Sequence, residues 1–167
     1  MSAIHPIETS LGPVQAAFNA AGEVVYLGFS DHEFRLPLLV KLERLEPVPH
    51  PDAKALGRLR EQLEDYAAGG RRDFDIPFRL HGSPFEQRVW AALQRIPFGE
   101  TRSYGQLAAA LGDPNLSRAV GRANGANPIS ILIPCHRVIG ANGSLTGYAG
   151  GLARKERLLR IEGALSA

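Results

Sequence analysis

The chain has 167 residues, 44% of them hydrophobic, which is enough to bury the core of one domain or of two small ones. Its single cysteine excludes an internal disulfide, and no apolar stretch reaches the length of a membrane span or follows a basic segment as in a secretory signal. We therefore expect a soluble, cytoplasmic protein without a membrane partner.

Formal charge is divided unevenly along the chain, although the total is only +2. Residues 1–80 contain 9 Lys and Arg against 12 Asp and Glu, a net charge of −3, whereas residues 81–167 contain 10 against 5, a net charge of +5. A basic half joined to an acidic half indicates that the second half meets a polyanion. A solvated basic face without a partner is the alternative reading of the same numbers.

The first part of the chain predicts a small antiparallel sheet followed by a helix. Short β-branched and aromatic runs at residues 7–10, 14–18 and 23–29 are separated by turn residues, which is the pattern of hairpins. A helix is predicted from Asp52 to Gly69, and its apolar residues recur at helical spacing. These residues are Leu56, Leu59, Leu63 and Tyr66. Residues 31–46 stay ambiguous, because Pro37 interrupts an otherwise plausible helix.

The second half predicts three short helices that precede the cysteine. Ser83 caps the first helix, with Pro84 at its first position and Glu86 three residues after the cap, which is a capping box. Ser103 is predicted to cap the second helix and Asp113 the third. The predicted buried face of the first helix consists of Phe85, Val89, Ala92, Leu93 and Ile96. Two short helices joined by a tight, glycine-containing turn are typical of a helix-turn-helix.

The third helix presents Arg118 and Arg122 from one face, because they lie four residues apart. Small residues, Gly121 and Ala123 among them, keep the surface around the arginines low. This combination favours nucleic acid, since a phosphate backbone can approach closely and arginines can reach phosphates or enter a groove. The alternative is that the small residues serve helix packing and the arginines are solvated.

A last helix is predicted over Leu152–Ile161, with Leu158 and Ile161 buried. Its basic side chains are expected to be exposed. These are Arg154, Lys155, Arg157 and Arg160.

Cys135 is the strongest candidate for chemistry, because it follows the apolar residues 131–133 and precedes His136 and Arg137. Cationic or basic neighbours lower the pKa of a cysteine and so produce the nucleophilic thiolate. Pro134 favours a stiff strand end or a tight loop after a buried strand. The alternative is a small buried hydrophobe, since adjacent residues on an extended segment point to opposite faces and adjacency does not place the imidazole on the sulfur.

Motifs spread over residues 83–163 together resemble the DNA-binding and active-site domain of the O6-alkylguanine-DNA alkyltransferases. The matching segments are residues 96–101, 103–104, 117–121, 127–128, 134–138, 147–152 and 155–156. Residues 1–80 match more weakly, mainly through residues 9–13. The resemblance implies an α/β, ribonuclease-H-like N-terminal domain over residues 1–80 and a mostly α C-terminal domain of the winged helix-turn-helix kind over residues 81–167.

This resemblance also implies a repair reaction. The protein would bind double-stranded DNA through the minor groove, rather than the major groove that a helix-turn-helix alone suggests, and would flip out an O6-alkylguanine. The alkyl group would pass to Cys135 once per molecule, without a cofactor or a metal, and a monomer is expected. His136 would take the thiol proton through a water and would be oriented by Glu162.

The other site residues are implied by the same resemblance. Tyr104 would neutralise charge on the leaving guanine, Arg118 would fill the place of the flipped base, and Asn127 would brace the turn before the cysteine. Contacts to DNA or to the base are implied for Ser103, Gly121, Arg122, Ala123, Val138, Tyr148 and Ala149. Ala149 departs from the serine of some relatives, which puts a hydroxyl contact to the alkylated oxygen in doubt.

Two other functions fit part of the pattern. A relative that binds damaged DNA without transfer would replace the nucleophile, so Cys135 argues against it. A helix-turn-helix regulator with an incidental buried cysteine would prefer one undamaged sequence. A cysteine hydrolase is disfavoured, because no oxyanion-hole pattern flanks the thiol.

Overall fold

The computed structural model describes residues 3–31, 45–148 and 150–165. The chain divides into two compact units, Met1–His81 and Gly82–Ala167. Most of the ambiguous segment 31–46 lies outside the described residues. No helix within the described ranges is long and apolar enough to cross a membrane.

The N-terminal unit contains the predicted antiparallel sheet. Its strands are β1 (His5–Thr9), β2 (Gly12–Phe18) and β3 (Val24–Phe29), paired in that order. All six residues of β3 are buried, and Val24 also forms a parallel bridge to Phe78. The hairpin prediction is confirmed, because turn residues separate runs that bury their apolar side chains.

Helix α1 (Ala53–Ala67) packs against this sheet within the same unit. The Asp52 side chain accepts a hydrogen bond from the Lys54 N–H and so caps the helix as predicted. Leu59, Leu63 and Tyr66 are fully buried, whereas Leu56 is only half-buried. The turn after β1 is tied to the helix, because the N–H and the hydroxyl of Ser10 both donate to the Glu64 carboxylate.

The C-terminal unit is mostly helical. Its helices are α2 (Pro84–Gln94), α3 (Tyr104–Ala110), α4 (Ser117–Gly125) and α5 (Leu152–Ile161). Short 3-10 helices span Pro114–Leu116 and Cys135–Arg137, and the two-residue strands β4 (Arg102–Ser103) and β5 (Val138–Ile139) pair in parallel. The β4–β5 pair places the start of α3 beside the chain that follows the cysteine.

The capping residues predicted from the sequence mark the observed starts of α2 and α3. Capping boxes form at Ser83 and at Ser103, as the sequence predicts. Asp113 caps the 3-10 turn that precedes α4 rather than α4 itself. On α2 the fully buried Trp90 donates its ring N–H to the Ala123 carbonyl at 2.9 Å, while the predicted core residue Phe85 is only half-buried.

Two further segments of the C-terminal unit differ from the prediction. Residues 131–133 form a turn rather than a buried strand, with Ile131 at a φ of 73°, a region that β-branched residues rarely occupy. Helix α5 has the predicted bounds and buries Leu158, but Ile161 is half-buried and Lys155 is completely buried instead of exposed.

Candidate active site

Cys135 opens the 3-10 helix Cys135–Arg137 and is 6% exposed. The turn before it is braced by Asn127, whose amide donates to the Ile133 carbonyl at 2.9 Å and whose side-chain oxygen accepts from the Ile129 N–H at 3.1 Å. The Asn124 amide of α4 donates to the Cys135 carbonyl at 3.3 Å. These bonds fix the backbone that positions the sulfur, and sequence reasoning did not single out Asn124.

The Cys135 thiol stays protonated at rest. Burial raises its pKa above the ordinary value, and the Asn127 side chain and the Lys155 charge act only partly in the opposite direction. The expectation that basic sequence neighbours lower this pKa is therefore wrong, because removal of the sulfur from water dominates. A base must take the thiol proton when the sulfur reacts.

His136 has the properties of that base. Its Nε2 donates to Glu162 Oε2 at 2.7 Å, and both side chains are fully buried. Burial lowers the pKa of His136 while Glu162 opposes the shift, so the ring is neutral near pH 7. Since the carboxylate holds the hydrogen on Nε2, Nδ1 is an acceptor. Nδ1 is buried and has no hydrogen-bond partner among the described residues.

Arg137 contacts the orienting carboxylate rather than the sulfur. Its Nε and Nη2 donate to Glu162 at 2.7 and 3.1 Å, and its Nη1 donates to the Ile96 carbonyl at 2.7 Å. The guanidinium also lies 5.8 Å from the centre of the Phe98 ring. A fork of this kind keeps Glu162 ionised and fixed in direction, and it anchors the site to the end of α2.

Lys155 is a second buried cation that the sequence pattern did not indicate. Its Nζ donates to the Val138 carbonyl at 2.5 Å and to the Thr146 carbonyl at 2.7 Å. Burial lowers the pKa of Lys155 to about 8. A signal was present in the sequence, because Leu158 and Leu159 stand three and four residues later on the buried side of the same helix.

Tyr104 stands between α4 and the glycine-rich loop of residues 146–151. Its hydroxyl donates to the Thr146 carbonyl at 3.4 Å, and a Cβ placed on Gly121 would meet its ring at 3.8 Å. The Tyr148 hydroxyl is buried, and burial raises its pKa well above the ordinary value. The structure thus brings Tyr104 and Gly121 together beside the loop that contains Tyr148.

The remaining predicted site residues divide by exposure. Arg118 and Arg122 are exposed on α4, whereas Ala123 is buried in the packing of that helix and offers little surface for DNA. The hydroxyl of Ser103 is used as the cap of α3. Ala149 lies outside the described residues. Among those that are described, no group of three or more His, Cys, Asp or Glu side chains could hold a metal ion.

Comparison with known proteins places these residues in a family. Residues 84–164 match the family described as 6-O-methylguanine DNA methyltransferase, DNA binding domain. A methylated-DNA–protein-cysteine methyltransferase of Mycolicibacterium paratuberculosis is 51% identical over 77% of this chain and 82% of its own length. The protein of that name in Salmonella typhimurium is 47% identical over 95% of this chain and 94% of its own.

A solved structure agrees over both units. The crystal structure of Mycobacterium tuberculosis OGT in complex with DNA is 42% identical and has a TM-score of 0.78, covering 96% of this chain and 92% of the other. Similar neighbours share the α/β N-terminal part and the helical C-terminal part. With nearly half of its residues identical to a relative over almost the whole length, the chain belongs to the O6-methylguanine DNA methyltransferase family.

Proposed function

We propose that this protein repairs DNA by moving an alkyl group from the O6 atom of a guanine in duplex DNA to the sulfur of Cys135. Its relatives are named for transfer of a methyl group from DNA to a protein cysteine, and a similar structure contains DNA. The observation that supports this most directly is the buried pair of His136 and Glu162, whose histidine directly follows the only cysteine of the chain. The pair supplies a neutral base one residue after the protonated thiol.

The residues support a single displacement. His136 Nδ1 takes the proton of the thiol through a bridging water, and the thiolate attacks the alkyl carbon. The bond from that carbon to O6 breaks, and its electron pair stays with the guanine. The Tyr104 hydroxyl hydrogen-bonds a ring nitrogen and neutralises the leaving base. The product thioether has no route back to a thiol, so each molecule acts once and needs no cofactor.

A base inside a duplex is inaccessible, so the damaged guanine must leave the stack. The exposed face of α4 supports an approach along the minor groove, in which Arg118 fills the gap and Arg122 contacts the backbone. The DNA-facing helices are α3, which Ser103 caps, and α4, which contains Gly121 and Ala123. The flipped base is bordered by Val138, Tyr148 and residue 149. The buried Ala123 would contribute through close packing alone.

We infer further features of the whole molecule. The α/β unit has a ribonuclease-H-like topology and the helical unit is a winged helix-turn-helix. The boundary between the two domains lies between residues 80 and 81, one residue before the division between the two compact units. The protein acts on DNA as a monomer and without a metal. The net negative charge of residues 1–80 and the net positive charge of residues 81–167 support contact with DNA through the second unit.

Intact-mass measurement after incubation with a duplex containing one O6-methylguanine tests the reaction. We expect a gain of one methyl group, located by peptide mapping on Cys135, and no gain with an undamaged duplex or with the Cys135→Ser variant. Equal transfer by Cys135→Ser would overturn the assignment. Retained binding of the damaged duplex without any mass gain would indicate recognition of damage alone.

A further inference from the structure

Lys155 is a buried cation to which the proposed reaction gives no role. Its side chain is fully buried, and no carboxylate in residues 3–31, 45–148 or 150–165 forms an ion pair with it. An ammonium without a counter-ion destabilises a folded core. A side chain of this kind beside a nucleophile indicates chemistry rather than packing.

The two hydrogen bonds of Lys155 join two separate segments of the site, one at Val138 and one at Thr146. Val138 directly follows the 3-10 helix that begins at Cys135, and Thr146 begins the loop that leads to Tyr148. The Thr146 carbonyl also accepts the hydroxyl of Tyr104. One ammonium therefore fixes the backbone after the nucleophile and, through a shared carbonyl, the loop against which Tyr104 lies.

Lys155 is also the cation that acts on the sulfur. Arg137 is bonded to Glu162, and His136 is neutral at pH 7, so neither adds a free positive charge beside Cys135. The Lys155 charge lowers the pKa of Cys135, and the thiolate in turn raises the pKa of Lys155. Formation of the thiolate thus gives the buried ammonium its missing counter-charge.

We infer that Lys155 is a positioning residue for alkyl transfer, which holds the Val138 and Thr146 carbonyls around the flipped base and stabilises the thiolate as its proton leaves. The inference rests on the proposed function, because it assigns a role within that reaction. It separates Lys155 from the exposed basic residues of α5, to which the sequence pattern alone assigned it.

The test compares Lys155→Met with Arg157→Met, a matched loss of charge on the exposed face of the same helix. Three quantities are measured for each variant and for the parent protein: the single-turnover rate from methylated duplex at saturating protein, the affinity for that duplex, and the rate of thiol alkylation by iodoacetamide across pH. For Lys155→Met we expect transfer to slow by at least about tenfold and the apparent thiol pKa to rise by about one unit, with DNA affinity unchanged. Arg157→Met should match the parent in all three.

The outcomes separate the inference from the function on which it rests. If the parent protein itself transfers no methyl group, the proposed function fails. If the parent transfers and Lys155→Met keeps both the rate and the thiol pKa, only the role of Lys155 is refuted. Should Lys155→Met fail to unfold cooperatively, Lys155→Gln takes its place, because its amide can still donate to a carbonyl. Loss of folding in both variants would make Lys155 purely structural and overturn the inference.

Discussion

Both units have exposed ion pairs, but among the described residues only the C-terminal unit also buries one. In the N-terminal unit the described pairs lie at the surface, as with Arg58 and Asp75, whose side chains are 53% and 69% exposed. In the C-terminal unit His136, Arg137 and Glu162 form a cluster whose side chains are 0%, 10% and 0% exposed. Exposed pairs add little to stability, whereas buried charges are expensive to desolvate. The difference indicates that the buried charges of the second unit serve chemistry rather than stability.

Glu162→Gln should have the largest effect, because it leaves the buried Arg137 guanidinium without a counter-charge. We expect the free energy of unfolding to fall by about 3 kcal/mol and alkyl transfer to slow at neutral pH, with DNA affinity nearly intact. Denaturant unfolding and single-turnover assays measure both. The control is Glu156→Gln, which removes the exposed partner of Arg160 on α5 and should change stability by less than about 0.5 kcal/mol. An equal loss of unfolding free energy in the two variants would contradict the expected difference between buried and exposed pairs.

Arg118→Ala extends the comparison of buried and exposed charges to an exposed arginine for which the structure shows no ion pair among the described residues. Because the proposed role of Arg118 requires duplex DNA, transfer from duplex should slow by at least about tenfold, the equivalent of one lost stacking or phosphate contact. Reaction with the free O6-alkylguanine base and the unfolding curve should not change. Arg60→Ala, an exposed arginine of the first unit, is the matched control. Equal slowing on duplex and free base would remove the role assigned to Arg118 in the stack.

A third prediction concerns pH. The folded-state pKa of His136 is lowered below 6.5, so the unfolded chain binds its proton first as pH falls. The stability from the neutral, buried ring is complete above pH 6.5 and is lost below it, by about 1 kcal/mol for each pH unit until the folded pKa is reached. Thermal unfolding between pH 7.5 and pH 5.5 should show this decline, and His136→Asn should show a flatter profile. An unchanged slope in that variant would assign the decline to other groups.

The smallest effect is expected for Asp75→Asn in the first unit. Hydrogen bonding to Gln62, followed by the charges of Arg58 and Arg71, lowers the pKa of Asp75, but most of the side chain is exposed to water. The unfolding midpoint should therefore move too little to separate from repeat measurements at physiological salt. A loss comparable to that of Glu162→Gln would show that surface pairs of the first unit also hold the fold together.

Local signals predicted much of the fold and part of the site. The capping boxes at Ser83 and Ser103 and the bounds of α5 depend on residues three or four positions apart, which the sequence displays directly. The turn at Ile131 depends on bonds from Asn127 to carbonyls further along, so an apolar run was mistaken for a strand. A lysine counts as polar in any pattern, and only tertiary contacts reveal that Lys155 is buried.

The direction of the Cys135 pKa was predicted wrongly for a related reason. Adjacent basic residues suggested a stabilised thiolate, but Arg137 is committed to Glu162 and the sulfur is removed from water. Desolvation is a property of the folded core and has no signature within a few residues of the cysteine. The family resemblance, rather than periodicity, connected the cysteine to Glu162 at the far end of the chain.

The covered, protonated state of Cys135 has a consequence for the proposed reaction, in which each molecule acts once. Thiolates attack peroxides, aldehydes and other diffusible electrophiles, and accessible thiolates react fastest. A cysteine residue that is 6% exposed and keeps its thiol hydrogen until a base takes it is protected from these side reactions. The burial that slows the nucleophile in isolation thereby preserves the thiol for the proposed reaction with damaged DNA.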